Sequence, residues 1–335
     1  MGNVSKLYAL EIGNEVDVYA RQCYNGSCIR NPQTWDSETY AEEVQGHIDL
    51  LTKNVTNFPQ TGRIFQIFDK GTEIDWPTNT KWTLTPFMQS ISEVEDLTRV
   101  KQVAQHYRPE LTSYLATRHM LAETLIYKTR NPQLDFVLSE VGNAIGSSSN
   151  KTTDAILESS LGSAVWTVDW MLCVMSINVT RINMQMGRIF GFAAWQPNQL
   201  QDAPPHLKGG FYGHVFVADF ISNQGSLRVI ELPQPSGNKN ISAYARFHHG
   251  TLTKVALINQ ELWLGSSNRP RASNVSLNLE ALGPDVPARV KVQKLWGPSA
   301  NTLTNISWAG LDWPFNNITG GGTPVKKRQR YLHRN

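Results

Sequence analysis

Between Leu7 and Pro197 short apolar runs alternate with longer helical ones, and few folds accept that order. The short runs, residues 7–14, 63–69, 99–106, 135–140 and 181–186, have the length and apolar density of strands buried on both faces. The segments around 37–53, 111–128 and 153–175 predict helices, the first opening on Asp36 or Ser37 as its N-cap. Strand and helix in alternation place the strands parallel, with helices covering the sheet. Five such strands are too few to close an eight-stranded barrel. After Pro204-Pro205 the texture changes. Short β-rich runs at 212–221, 227–232, 241–247, 253–259, 275–279 and 289–295, separated by Gly, Pro, Asn and Ser, predict an antiparallel sandwich. No fixed-period repeat is evident.

Net charge is +3, but residues 326–334 carry five Lys/Arg and no acid, which leaves the rest of the chain at −2. A slightly acidic body lacks the electrostatic footprint of a nucleic-acid binder. The basic stretch reads as a disordered, solvated end, with a localisation or polyanion-binding patch as the functional alternative. Nine Asn-X-Ser/Thr sequons occur, at Asn3, Asn25, Asn54, Asn150, Asn178, Asn240, Asn274, Asn305 and Asn317. Chance gives roughly three or four at this composition, so the excess predicts a secreted glycoprotein. A secretion signal, a basic segment followed by an apolar stretch, is not seen ahead of the first strand. Cys23 and Cys28 flank the turn-forming Tyr24-Asn25-Gly26-Ser27 and predict a small disulfide loop; Cys173, in an apolar helical stretch, reads as a buried thiol. No Cys/His pair has metal-ligand spacing, so neither a metal nor another cofactor is expected. His248-His249 reads as a surface pair. Residues 164–179, interrupted by Asp169, predict a core helix rather than a membrane span. No obligate protein partner is implied.

Two of the strand runs close on a glutamate: Glu15, after Gly13-Asn14, and Glu140. The C-terminal end of a barrel strand is where barrel enzymes place catalytic carboxylates. Cleaving a glycosidic bond with retention needs two of them about 5–5.5 Å apart, one to protonate the leaving oxygen and one to attack the anomeric carbon. Strand-end carboxylates also cap helices or pair with surface bases, and spacing alone leaves both readings open. Asn14 adds to the chemical reading, because an Asn beside the acid can bond a sugar 2-OH, a contact that strengthens in the transition state. Gly320-Gly321-Gly322 ahead of Lys326 lacks the spacing of a phosphate loop and reads as a linker.

With their neighbours these residues resemble glycoside hydrolase family 79, the fungal β-glucuronidase family related to heparanase. The resemblance is carried by residues 9–19 (ALEIGNEVDVY), 105–109 (QHYRP), 138–143 (LSEVGN), 193–197 (AAWQP) and 210–217 (GFYGHVFV), and covers nearly the whole chain. It implies Glu15 as acid/base, Glu140 as nucleophile and Asn14 as the 2-OH partner. His106, Tyr107, Arg188, Trp195 and Gln196 would bind the sugar, the aromatics offering flat apolar faces. The implied fold is α/β plus all-β. Residues 1–204 would form strands four to eight of a (β/α)8 TIM barrel, residues 205–322 an antiparallel β-sandwich, and residues 323–335 a basic, disordered tail.

Three departures from the family stand out. Val16 replaces the Pro expected after Asn-Glu, a change confined to a turn. The loop 187–192 carries Phe where the family usually has a Tyr able to bind a uronate carboxylate; Arg188 offers a charge-assisted replacement. The first three barrel strands, and with them the secretion signal, are missing on this alignment. An open sheet of this kind is expected to be poorly soluble or inactive when expressed from Met1. The expectation is a secreted, retaining β-glucuronidase-like glycosidase of cell-wall or proteoglycan-type glycans, with carbohydrate as its partner. The alternative is a catalytically inactive carbohydrate-binding or truncated fragment of such an enzyme.

Overall fold

A computed structural model describes residues 7–71, 82–94, 97–107, 132–143, 158–187, 191–197, 205–222, 225–233, 240–265, 289–313, 323–324 and 331–333. The chain forms two compact units, one of residues 1–142 and 177–184, the other of residues 143–176 and 185–335. The sequence reading drew its boundary at residue 204.

The first unit contains β1 (Leu10–Glu11), a hairpin of β2 (Cys23–Tyr24) and β3 (Ser27–Cys28), α1 (Ser37–Asn54), β4 (Phe65–Lys70), α2 (Leu84–Val94), β5 (Val100–Tyr107), β6 (Asp135–Val141) and β7 (Arg181–Met184). Five of these strands build one parallel sheet in the order β1-β4-β5-β6-β7, a half-barrel from the five runs expected to be strands. Every residue of β4 is buried, as befits a parallel strand covered on both faces. Helix α1 starts where Asp36 accepts a hydrogen bond from the Thr39 amide at 3.0 Å, and it buries Tyr40, Ala41, Val44 and Ile48 along one face. Phe87 of α2 stacks on Phe68 of β4 at 4.5 Å and on Tyr40 of α1 at 5.5 Å, joining both helices to the sheet. In the hairpin, Asn25 and Gly26 take φ values of 51° and 82°, and Cys23 is disulfide-bonded to Cys28. The helix expected at 111–128 lies outside the described residues.

The second unit holds α3 (Leu161–Ser176), β8 (Trp195–Gln196), β9 (His206–Leu207), α4 (Gly209–Ile221), and then β10 (Leu227–Glu231), β11 (Ile241–His248) and β12 (Thr251–Asn259), an antiparallel sheet. A second antiparallel sheet joins β14 (Leu295–Trp296), β15 (Ser307–Trp308), β16 (Leu311–Asp312) and β17 (Thr323–Pro324), while β13 (Arg289–Lys291) pairs with β18 (Tyr331–His333). Two expectations change here. Residues 212–221 form a helix, not a strand: their aromatic and β-branched density suggests a strand, yet Gly209, Gly213, Val217 and Phe220 are buried at helical spacing. A stretch expected to be a disordered tail supplies β17 and β18, whose backbones gain ladder partners in β16 and β13. The run at 275–279 lies outside the described residues.

Helix α3 is apolar almost all round, with Asp169 near its middle. That carboxylate accepts from Ser242 and, at 2.9 Å, from Tyr244. Burial pushes its pKa up although these donors pull it down. No described helix is long and apolar enough to cross a membrane. Helices α3 and α4 meet at glycines: a Cβ on Gly213 would lie 2.7 Å from Thr167 Cβ, and one on Gly209 only 1.7 Å from the Ser160 carbonyl oxygen.

A backbone oxygen cannot move aside as a side chain can, so Gly209→Ala is expected to destabilise the chain by about 1–3 kcal/mol or more. Gly46, in the middle of α1 with nothing within 4 Å of its Cβ position, behaves oppositely. Gly46→Ala should stabilise by about 0.5–1 kcal/mol. Urea midpoints of the two variants check both signs; equal midpoints would contradict the packing described.

Candidate active site

After β1 the chain turns sharply through Gly13, at φ 87°, into a single 3-10 turn, Val16–Val18. A Cβ on Gly13 would lie 2.4 Å from Val16 Cγ1, so the turn requires glycine on both steric and conformational grounds. Glu15 itself is left-handed, at φ 50° and ψ 49°, an unfavourable conformation for a non-glycine residue. Neighbouring bonds hold it there. Tyr40 donates to the Ile12 carbonyl at 2.6 Å, Trp35 donates to the Val16 carbonyl at 2.7 Å, and the Asn14 amide donates to the Tyr19 hydroxyl at 3.1 Å. Buried Asp17 accepts from the Gly71 amide at 2.6 Å, tying the turn to the end of β4. A Cβ on Gly71 would be 3.3 Å from Glu15 Cβ and Cγ, so the Glu15 stem lies over a bare backbone.

Glu140 arrives from the other side through a bulge. Gln105 pairs with Leu138, but His106 pairs with Glu140, so Ser139 is an extra residue in β6. A second bulge interrupts β4, where Ile67 pairs with Val103 and Lys70 with Gln105; it contains Phe68 at φ 66° and Asp69. Both irregularities flank His106, whose side chain is only 2% exposed.

His106 stands among three carboxylates. Its Nδ1 is 3.2 Å from Glu15 Oε1 and 3.7 Å from Glu140 Oε2, and its Nε2 is 3.7 Å from Asp69 Oδ1. The ligand atoms of Glu15, His106 and Glu140 all lie within 4.8 Å of one another. Glu15 and Glu140 remain partly open, at 27% and 18% side-chain exposure, whereas Asp69 is fully buried. Burial alone would lower the pKa of His106. The Glu15 hydrogen bond and the charges of Glu140, Asp69 and Glu15 outweigh it, and the net shift is upward. Asp69 is pushed up to about 6, chiefly by burial, against hydrogen bonds from Ser139 and Gln66. Glu11 is pushed up to about 7 by burial and the Asp69 charge, but it keeps a solvent-exposed surface that screens the effect.

Chemically, the site offers two accessible carboxylates beside a buried imidazole whose protonated form they favour. Glu15, His106 and Glu140 also form a set that could ligate one ion, although mutual imidazole–carboxylate contacts already engage the three. Asn14 lies exposed beside Glu15. Tyr107 ends β5, with its side chain outside the described residues, as is the whole of Arg188. Trp195, 41% exposed, and buried Gln196 pair with Leu207 and His206 in the second unit. Among the sequons, Asn25, Asn54, Asn178, Asn240 and Asn305 are exposed, while Asn3, Asn150, Asn274 and Asn317 lie outside the described residues. Sequence reasoning passed over Asp69, although it closes the run 63–69 as Glu140 closes 135–140. An acid ending an apolar run was the available signal.

Asp69 and His106, the two buried groups among the three raised ones of this site, favour the protonated form in the fold. Their contribution to stability is fully present below the unfolded values, 3.8 for Asp69 and 6.5 for His106, and is lost as pH rises through the folded values, about 6 for Asp69. The urea midpoint should therefore fall between pH 5 and pH 8. Asp69→Asn should flatten that fall; an unchanged slope in the variant would contradict the assignment.

Residues 243–332 match the glycosyl hydrolase family 79 C-terminal beta domain. A β-glucuronidase of Aspergillus niger is 22% identical over 342 residues, covering 96% of this chain and 61% of the relative. A β-glucuronidase of Neurospora crassa is 30% identical over 196 residues, covering 51% of this chain and 35% of the relative. The chain thus spans about three fifths of the first relative's length and the similarity reaches about a third of the second's. The chain carries a match to the family 79 C-terminal beta domain, and its similarity to these β-glucuronidases extends through the parallel sheet.

Proposed function

We propose that this chain carries the catalytic pair of a retaining β-glycosidase acting on β-glucuronides, with Glu15 as acid/base and Glu140 as nucleophile. The observation that carries the proposal is the approach of the two partly open carboxylates, with one oxygen of each within 4.8 Å of the other and of the same imidazole nitrogen. An inverting enzyme needs roughly 6.5–9.5 Å between its carboxyl groups to admit a water; this pair is on the shorter, retaining side. In the proposed cycle Glu15 carries a proton at rest. Glu15 gives that proton to the departing oxygen as Glu140 attacks the anomeric carbon. Glu15, now a carboxylate, then takes a proton from water, whose oxygen displaces Glu140 and releases the sugar.

The glucuronate assignment rests on the names of the two fungal relatives. Asn14 is proposed to hold the 2-OH, Tyr107 and Trp195 to stack on sugar rings, Gln196 to bond a hydroxyl and Arg188 to meet the uronate. The finer architecture proposed is strands four to eight of a (β/α)8 barrel followed by a β-sandwich. Secretion as a glycoprotein is supported by the five described sequon asparagines being exposed.

In this scheme Glu140→Gln abolishes turnover of every substrate, because each needs the nucleophile. Glu15→Gln loses the natural substrate but spares the glycosylation step on aryl glucuronides, whose leaving groups depart without a proton. Single-turnover rates on both substrate types test this. Equal loss of that step in both variants on aryl substrates would overturn the roles, and faster cleavage of neutral aryl glycosides than of glucuronides would overturn the sugar assignment.

A further inference from the structure

We propose that Asp69 is a positioning residue for this chemistry, fixing the orientation and charge of His106 so that its Nδ1–H faces Glu15 and Glu140. The inference rests on the two-glutamate reading above. Asp69 has no exposed surface, and its carboxylate is built in from both sides. Ser139, the extra residue of the β6 bulge, donates to Oδ1; Gln66 donates to Oδ2 at 2.6 Å. Gln66 is fixed in turn, since its Oε1 accepts from Gln102 and its Nε2 also reaches Glu11 at 2.9 Å. Both bulges therefore serve one carboxylate: β4 bends to bring it inward, and β6 bends to supply its hydroxyl donor. The Nε2 edge of His106 stands 3.7 Å from that carboxylate.

The groups facing His106 define what this achieves. Glu15 comes from the turn after β1, Asp69 from β4 and Glu140 from β6, while Glu11 of β1 connects through Gln66. A charged carboxylate at Nε2 keeps a proton on that nitrogen, so Nδ1 can carry the second and donate it to the glutamates. In the proposed cycle glycosylation moves one negative charge from Glu140, which becomes an ester, to Glu15, which has lost its proton. The Nδ1 edge, 3.2 Å from Glu15 and 3.7 Å from Glu140, bonds the first and acts on the second through charge, so it meets that negative charge on either side without the proton leaving the ring. Without Asp69 the ring is free to lose its Nε2 proton or turn, and the support for the second carboxylate is lost.

The test combines nitrogen NMR of labelled histidines with pH–rate profiles on an aryl β-glucuronide, using the whole chain. In the unaltered chain His106 should keep Nε2 protonated at pH 7; a bare Nε2 there overturns the proposal with no mutation needed. In folded Asp69→Asn, the His106 titration should move down by roughly one pH unit. The alkaline limb of the rate profile should move the same way, and kcat should fall about 10–100-fold with KM changed far less. An unmoved titration and limb overturn the positioning role. Glu140→Gln separates the two ideas: retained activity in that variant sinks the glycosidase roles, whereas an inactive Glu140→Gln beside an unaltered Asp69→Asn sinks this inference alone. The histidine spectra decide the point even where turnover is too slow to follow.

Discussion

One imidazole set against three carboxylates is the interaction around which the first unit is organised. Burying carboxylates is expensive unless a cation or several donors meet them, and His106, whose protonated form these carboxylates favour, lies within 4 Å of Glu15, Glu140 and Asp69 at once. The three carboxylates differ in exposure. Asp69 is sealed behind Ser139 and Gln66, while the two glutamates keep one side toward solvent, where a substrate can approach. The same asymmetry gives the histidine two different edges, one facing the core and one facing the two glutamates.

Regular parallel strands could not produce this cluster. An unbulged β6 would set Ser139 opposite His106, and an unbulged β4 would set Asp69 in the ladder position that Lys70 takes opposite Gln105. A one-residue slip exchanges the faces to which side chains point, so each bulge is a change of aim for the residues beyond it. The left-handed φ of Phe68 and Glu15 is the local cost. It is offset by what surrounds them: Phe68 stacks on Phe87, and the turn carrying Glu15 is tied down through Asp17, Trp35 and Tyr40.

This explains how far the sequence could be read. The five parallel strands were legible because continuous apolar runs of strand length have few other uses, and α1 was legible down to its Asp36 cap. Glu15 and Glu140 were legible as acids closing such runs. Asp69 closes one too, but its role depends on a bulge at a phenylalanine, a residue type with no preference for positive φ, and no local pattern announces that. Helix α4 was misread because its sequence satisfies strand composition throughout; the informative residues are Gly209 and Gly213, which make sense only against the backbone of Ser160 and Ala164. Local pattern reports propensity, and here close approach decided the element.

The second unit applies a related device to a structural end. Each of its two described helices carries an aspartate that gathers donors from the antiparallel β region: Asp169 of α3 takes Ser242 and Tyr244, and Asp219 of α4 takes Lys254, Gln293 and Trp308 at 3.1 Å each. Four of those five partners lie within residues 243–332, the span of the family's C-terminal beta domain, whereas both aspartates and all of α3 and α4 precede it. Excising the domain at its sequence boundary would expose Tyr244, now 1% accessible, and leave the Trp308 indole without the Asp219 carboxylate. Unpaired polar groups and uncovered aromatic faces each cost stability. The smallest folded body that contains this β domain therefore includes the two helices ahead of it, and the sequence match marks its β part rather than its physical edge.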